Sequence, residues 1–113
     1  MKRMNSQQRF YKLNNEYNRL QTEYMRLQRQ NEMLVNKANQ IQVKIDYNMS
    51  QVNFALSSGQ NVKKTNSNNI RSEQHTYKQI LQQIEQNNRK MNTLQMRIYK
   101  KSNEIQMLAA NMQ

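Results

Sequence analysis

Residues 10–34 read FYKLNNEYNRLQTEYMRLQRQNEML, and this stretch decides the fold. Leucine recurs at 13, 20, 27 and 34, while Phe10, Tyr17 and Tyr24 each stand three residues ahead of a leucine. A 3-4 alternation of apolar residues puts them on one stripe of an α-helix and defines the a and d sites of a coiled coil. With Phe10 as the first a site, the frame runs without a slip to Ala55. The a sites are Phe10, Tyr17, Tyr24, Asn31, Ala38, Ile45 and Val52; the d sites are Leu13, Leu20, Leu27, Leu34, Ile41, Asn48 and Ala55. Twelve of these fourteen are apolar, against eight of the other thirty-two positions in the span, so the pattern is a seam rather than a scatter.

A second frame opens at Ile70. Its a sites are Ile70, Tyr77, Ile84, Met91, Ile98, Ile105 and Met112, and its d sites are Glu73, Ile80, Asn87, Leu94, Lys101 and Leu108. Between the frames lie Ser57-Ser58-Gly59-Gln60-Asn61 and Thr65-Asn66-Ser67-Asn68-Asn69, the densest run of turn and capping residues in the chain. Gly59 is the lone glycine and there is no proline, so it marks the end of the first helix. Ser67 to Asn69 offer N-caps for the second. The expected organisation is a helix over 4–57, a polar loop over 58–68 and a helix over 69–112. Each rod would be roughly 65–80 Å long.

Two such helices can fold back on each other or pair with copies in other chains. The four-leucine ladder with Asn31 at an a site resembles a leucine zipper, which favours parallel dimers and would make the chain a dimerisation adaptor. The Ile-rich second frame also needs a partner, and an antiparallel hairpin supplies it. If paired residue numbers sum to 118, Leu13 meets Ile105, Leu20 meets Ile98 and Leu27 meets Met91. In the same register Tyr24 meets Leu94, Leu34 meets Ile84, Ile41 meets Tyr77 and Asn31 meets Asn87. Two facing amides satisfy each other, whereas one facing an apolar side chain costs about 1–3 kcal/mol. Asn31 and Asn87 are therefore the expected register pins. Lys101 would lie along Tyr17 with its ammonium in water. Ile45 would face Glu73, an awkward pair that predicts fraying toward the loop. The expected fold is an all-α, long antiparallel two-helix coiled-coil hairpin, alone, paired into a four-helix bundle or packed in a larger assembly.

Composition bounds the function. The chain has 113 residues, 35% hydrophobic and rich in Asn and Gln, with a mean hydropathy of -1.18, too polar for a layered globular core. Its formal net charge is +11, concentrated at the two ends. Lys2, Arg3, Arg9 and Lys12 lie near one terminus and Arg97, Lys100 and Lys101 near the other; a hairpin merges them into one basic tip. Such a tip suits a polyanion, either nucleic acid or an acidic protein surface such as that of tubulin. A basic region that reads DNA bases would need more than the dozen residues preceding Leu13, so sequence-specific binding is not expected.

Off the seam, Tyr11, Met25, Met33, Val43 and Tyr47 follow a 3.6-residue period and form a second stripe on the outer face. This stripe is the candidate surface for docking protein partners or a second copy of the chain.

Nothing converges for catalysis. His75 is the lone histidine, the seven acids are strewn singly along the rods, and cysteine is absent. The chain is expected to be no enzyme, with no cofactor, no metal and no small-molecule substrate. The absence of cysteine and of an apolar run near 18 residues suggests an intracellular, reducing setting: cytoplasm, cytoskeleton or cilium, nucleus, organelle matrix or virion interior. The sequon Asn48-Met49-Ser50 is expected to be idle. The favoured reading is a structural or assembly subunit; the alternatives are a sequence-independent nucleic-acid binder and a parallel dimerisation adaptor.

Overall fold

The computed structural model describes residues 4–112 and is a helical hairpin: α1 spans Ser6–Ser57 and α2 spans Lys64–Asn111. Local chemistry explains each boundary. Helix α1 opens on a reciprocal cap. The Asn5 Oδ1 accepts the Gln8 backbone N–H at 2.8 Å, and the Gln8 Oε1 accepts the Asn5 N–H at 3.2 Å. Two of the amide protons that a helix start leaves unpaired are thereby satisfied.

The other end of α1 is closed by Gly59, which sits at φ 67°, in the left-handed region. That turn lets the Gln60 N–H reach the Ala55 carbonyl at 2.8 Å and the Gly59 N–H reach the Leu56 carbonyl at 3.3 Å. The 6→1 and 5→2 pattern is a Schellman cap, and it needs the residue that carries no Cβ penalty at positive φ.

Helix α2 begins at Lys64, five residues before the expected start at 69. Its first bonds run from the Asn66 and Ser67 N–H groups to the Lys63 carbonyl, at 3.1 and 3.4 Å. Ser67, Asn68 and Asn69 are thus inside the first turns instead of capping them. Solvent can satisfy exposed N–H groups at a helix start, so no capping side chain is required. Asn66, one heptad step before Glu73, is half-buried, so the second seam begins earlier than Ile70.

By its internal packing the hairpin divides into residues 1–29 with 87–113, which hold both chain ends, and residues 30–86, which hold the loop. In the first unit Leu20, Leu27 and Leu94 are buried, with Tyr24, Met91 and Ile98 packed against them. This cluster contains both members of three expected pairs: Leu20 with Ile98, Tyr24 with Leu94, and Leu27 with Met91. Leu13, Ile105 and Leu108 are half-buried around it, and Asn87 is 1% exposed. The leucine ladder of this unit is occupied within the chain and is not held open for a parallel partner.

In the second unit Ala38, Ile45 and Asn48 are buried, and Asn31, Leu34, Ile41, Tyr77, Ile80 and Ile84 are half-buried. The awkward position of Glu73 is resolved by Asn48, whose Nδ2 donates to both carboxylate oxygens at 3.3 and 3.1 Å. The seam does not fray there: α1 stays helical to Ser57, with Val52 and Ala55 still half-buried. The same bonds occupy the amide nitrogen of the sequon. Among the described residues, no buried side-chain nitrogen or oxygen lacks a hydrogen-bond partner.

Candidate docking surfaces

The expected site residues fall into three sets, and the structure treats them differently. The seam residues are interior. The register pair is split between the two units: Asn87 is enclosed in the first, and Asn31 is half-buried in the second.

The outer stripe is exposed. Tyr11 and Met25 in the first unit, and Met33, Val43 and Tyr47 in the second, retain between 50% and 68% of their accessible surface. Phe54, seven residues after Tyr47 and 64% exposed, belongs to the same row. Met4 is exposed too, but it precedes the first turn of α1 and is not part of the row. By heptad position Tyr11 and Met25 stand at b in the first unit, whereas in the second Met33, Tyr47 and Phe54 stand at c and Val43 at f, all on the side of α1 away from the seam. The addition of Phe54 is legible in the same spacing that reveals the other five. Among the described residues only five apolar side chains are buried, the rest of the apolar seam as far as Leu108 is half-buried, and fifteen large apolar side chains are exposed.

The basic tip belongs to the first unit, apart from Lys2 and Arg3, which lie outside the described residues. Arg9, Lys12, Arg97 and Lys100 are exposed. The Lys101 ammonium, expected to be left to water, is paired instead. Its Nζ lies 2.7 Å from Glu16 on α1 and 3.6 Å from Glu104 on its own helix. A d-site lysine has a four-carbon stem, and the nearest interhelical carboxylate captures its head before water does. The hydrogen bond with Lys101 holds the Glu16 carboxyl below the usual carboxylate range, and the one with Glu16 raises the Lys101 ammonium above the usual lysine value. Glu23 occupies a g site, a position suited to bridging the helices. Instead it pairs with Arg26 one turn along α1, and that hydrogen bond lowers its pKa.

The tip is one end of a larger pattern. The first unit carries twelve Lys/Arg and three acids, a net +9 of the chain's +11. Ten of those cations are among the described residues, and sorting them by heptad position separates them cleanly. On α1, Arg9 is at g, Lys12, Arg19 and Arg26 at c, and Arg29 at f. On α2, Lys90 and Arg97 are at g, Lys100 at c, Arg89 at f and Lys101 at d. None is at b or e. The b and e positions of the unit are uncharged throughout: Asn14, Gln21, Met25 and Gln28 on α1, and Asn88, Gln95, Tyr99 and Ser102 on α2, are typical.

Two grooves show that the matching flanks of the helices adjoin. Glu23, Leu27, Arg89, Lys90, Thr93, Leu94 and Arg97 line one. Gln21, Tyr24, Met25, Gln28, Gln95 and Ile98 line the other. The first unit is therefore two-faced, with a cationic g/c flank opposite an amide, Tyr and Met flank. Counting charge along the chain locates the ends but hides this division. In the second unit charges of both signs occupy b positions, including Glu32, Asp46, Arg71, Lys78 and Glu85, and no such division exists.

Among the described residues no three His, Cys, Asp or Glu side chains gather as a metal-binding group, and no helix is long and apolar enough to cross a membrane. His75 lies in a shallow groove with Arg71, Gln74 and Lys78, with no acid among the lining residues. No protein-family model, no curated protein and no solved structure matches the chain.

Proposed function

We propose that this hairpin is a non-enzymatic structural subunit that docks inside a larger macromolecular complex through its outer stripe and its basic end. The observation that carries this reading is the set of bulky apolar side chains exposed on α1, Tyr11 and Met25 in the first unit and Met33, Val43, Tyr47 and Phe54 in the second. Within the second unit Met33, Val43, Tyr47 and Phe54 share the outer c and f positions of α1, a grouping that calls for a partner, whereas apolar residues exposed singly would need no explanation. Methionine adapts to irregular partner contours, and tyrosine brings a rigid apolar body with a polar tip. A two-helix seam with five buried apolar side chains also gains stability from any partner that covers more of it. The reading places the chain in an intracellular, reducing setting and assigns it no cofactor.

The test is size fractionation of a tagged chain in its native source. The wild-type chain should migrate with a large complex. A variant with Tyr11, Met25, Tyr47 and Phe54 replaced by Gln should keep its helical circular dichroism but migrate as the free chain. Equal migration of both would refute the proposal.

A further inference from the structure

We infer that the cationic g/c flank of the first unit is a docking face for the phosphodiester backbone of a nucleic-acid duplex, bound without regard to base sequence. This deepens the assembly reading by assigning a partner chemistry to its basic end, on a surface separate from the outer stripe.

Charge alone would suit any polyanion, so the rest of the flank has to decide. Protein interfaces are built around a buried apolar or aromatic centre with charge at the rim. Here the c, f and g positions of α1 from Asn5 to Arg29 hold only Asn, Gln, Thr, Arg, Lys and Glu. On α1 this face offers charge and hydrogen-bonding groups without an apolar anchor, which fits a polar, wet nucleic-acid interface; on α2 the exposed Met96 and Met107, at f and c, flank the cations instead of forming a buried centre.

Residue type and spacing agree. Six of the ten described cations are arginines, whose planar fork matches phosphate oxygens. Lys12, Arg19 and Arg26 recur every seven residues, a rise of about 10.5 Å per step along one line of α1. Lys90 and Arg97 repeat that step on α2. Residues 6–29 rise about 36 Å, close to one turn of duplex. The acids at g on this face are paired, Glu16 and Glu104 with Lys101 and Glu23 with Arg26, so the phosphate-facing row rests on Lys12, Arg19, Lys90 and Arg97. The opposite flank carries no charge at all, so the field of the unit is directed to one side.

The experiment measures fluorescence anisotropy of labelled mixed-sequence duplexes of about 20 base pairs, DNA in one arm and RNA in the other, against the full chain at rising salt. Four engaged phosphates predict a log–log salt slope near -4, or roughly a hundredfold loss between about 50 and 200 mM salt. Replacing Lys12, Arg19, Lys90 and Arg97 by Gln should abolish most of the binding and flatten the slope by three to four units, about one for each cation removed from a phosphate. A control removing equal charge from the other unit, Lys37, Lys44, Lys64 and Lys78 to Gln, should bind as the wild type does. Circular dichroism checks that both variants keep their helices.

Binding of either duplex with this split supports the face, and the tighter arm identifies the nucleic acid. Absence of binding at low salt, equal weakening by both variants, or competition by polyglutamate as effective as unlabelled duplex would overturn it. The stripe variant Tyr11, Met25, Tyr47 and Phe54 to Gln should still bind duplex. Loss of the complex with duplex binding retained therefore separates failure of one surface from failure of the other.

Discussion

The Asn48 side-chain amide donates to both carboxylate oxygens of Glu73, at 3.3 and 3.1 Å, from a position where Asn48 is 7% exposed. Two polar residues at d sites would each weaken an apolar seam. Joined across the hairpin they satisfy each other and fix the register near the loop.

Truncating either partner therefore leaves the other polar group without its bond. Asn48→Leu and Glu73→Leu should each destabilise the hairpin by about 1–3 kcal/mol. The double variant should recover much of that loss, because an apolar pair of similar shape can replace a satisfied polar one. A double-mutant cycle read by urea denaturation measures the coupling.

Leu27 is 2% exposed at the centre of the first unit's cluster. Leu27→Ala should cost about 2–5 kcal/mol and lower the urea midpoint sharply. Tyr11→Ala, on the exposed stripe of the same helix, should change stability by no more than about 0.5 kcal/mol. Parity of the two would mean that the seam is misassigned.

Nothing lies within 4 Å of the place a Cβ would occupy on Gly59, so only the backbone opposes a side chain there. Gly59→Ala should destabilise the hairpin by about 1 kcal/mol through the left-handed conformation alone. Gly59→Asn should cost less, since asparagine tolerates that region. Thermal melts of the two variants order them.

The Glu16–Lys101 pair sets a pH dependence. The Glu16 carboxyl titrates below its ordinary value in the fold, so its contribution is complete above the unfolded pKa and disappears as pH falls through the folded one. Lys101 titrates above its ordinary value, so its contribution is complete below the unfolded pKa and is lost as pH rises through the folded one. Stability should hold between the carboxylate and lysine ranges and drop on both sides. Glu16→Gln should flatten both limbs in melts taken across pH, and raised salt should do the same in part.

Heptad arithmetic exposes the hairpin because a two-stranded seam writes its contacts directly into residue spacing. All fourteen a and d sites from Phe10 to Ala55 are buried or half-buried, and only Asn14, Glu16 and Glu23 join them off the seam. The start of α2 is less legible. Asn, Ser and Thr favour caps, yet here they tolerate a solvated helical turn, and propensity alone does not choose between those states. The Asn5–Gln8 cap has its own local signal, an N-cap residue with Gln three positions on, which a heptad frame does not contain. The d site of Lys101 fixes where its stem lies, but the carboxylate at g decides where its ammonium goes. The two-faced charge distribution needs both helices sorted by position at once, which requires knowing that they fold together.

The central claim is that α1 and α2 of one chain lie against each other in antiparallel register. Gln21 and Gln95 line the same groove, and the chain contains no cysteine, so Gln21→Cys and Gln95→Cys can carry spin labels at those two sites alone. Pulsed electron–electron dipolar spectroscopy should give one short, narrow distance that is unchanged when labelled chain is diluted with unlabelled chain. A long distance, or a short one that vanishes on dilution, would contradict the hairpin and everything built on its flanks.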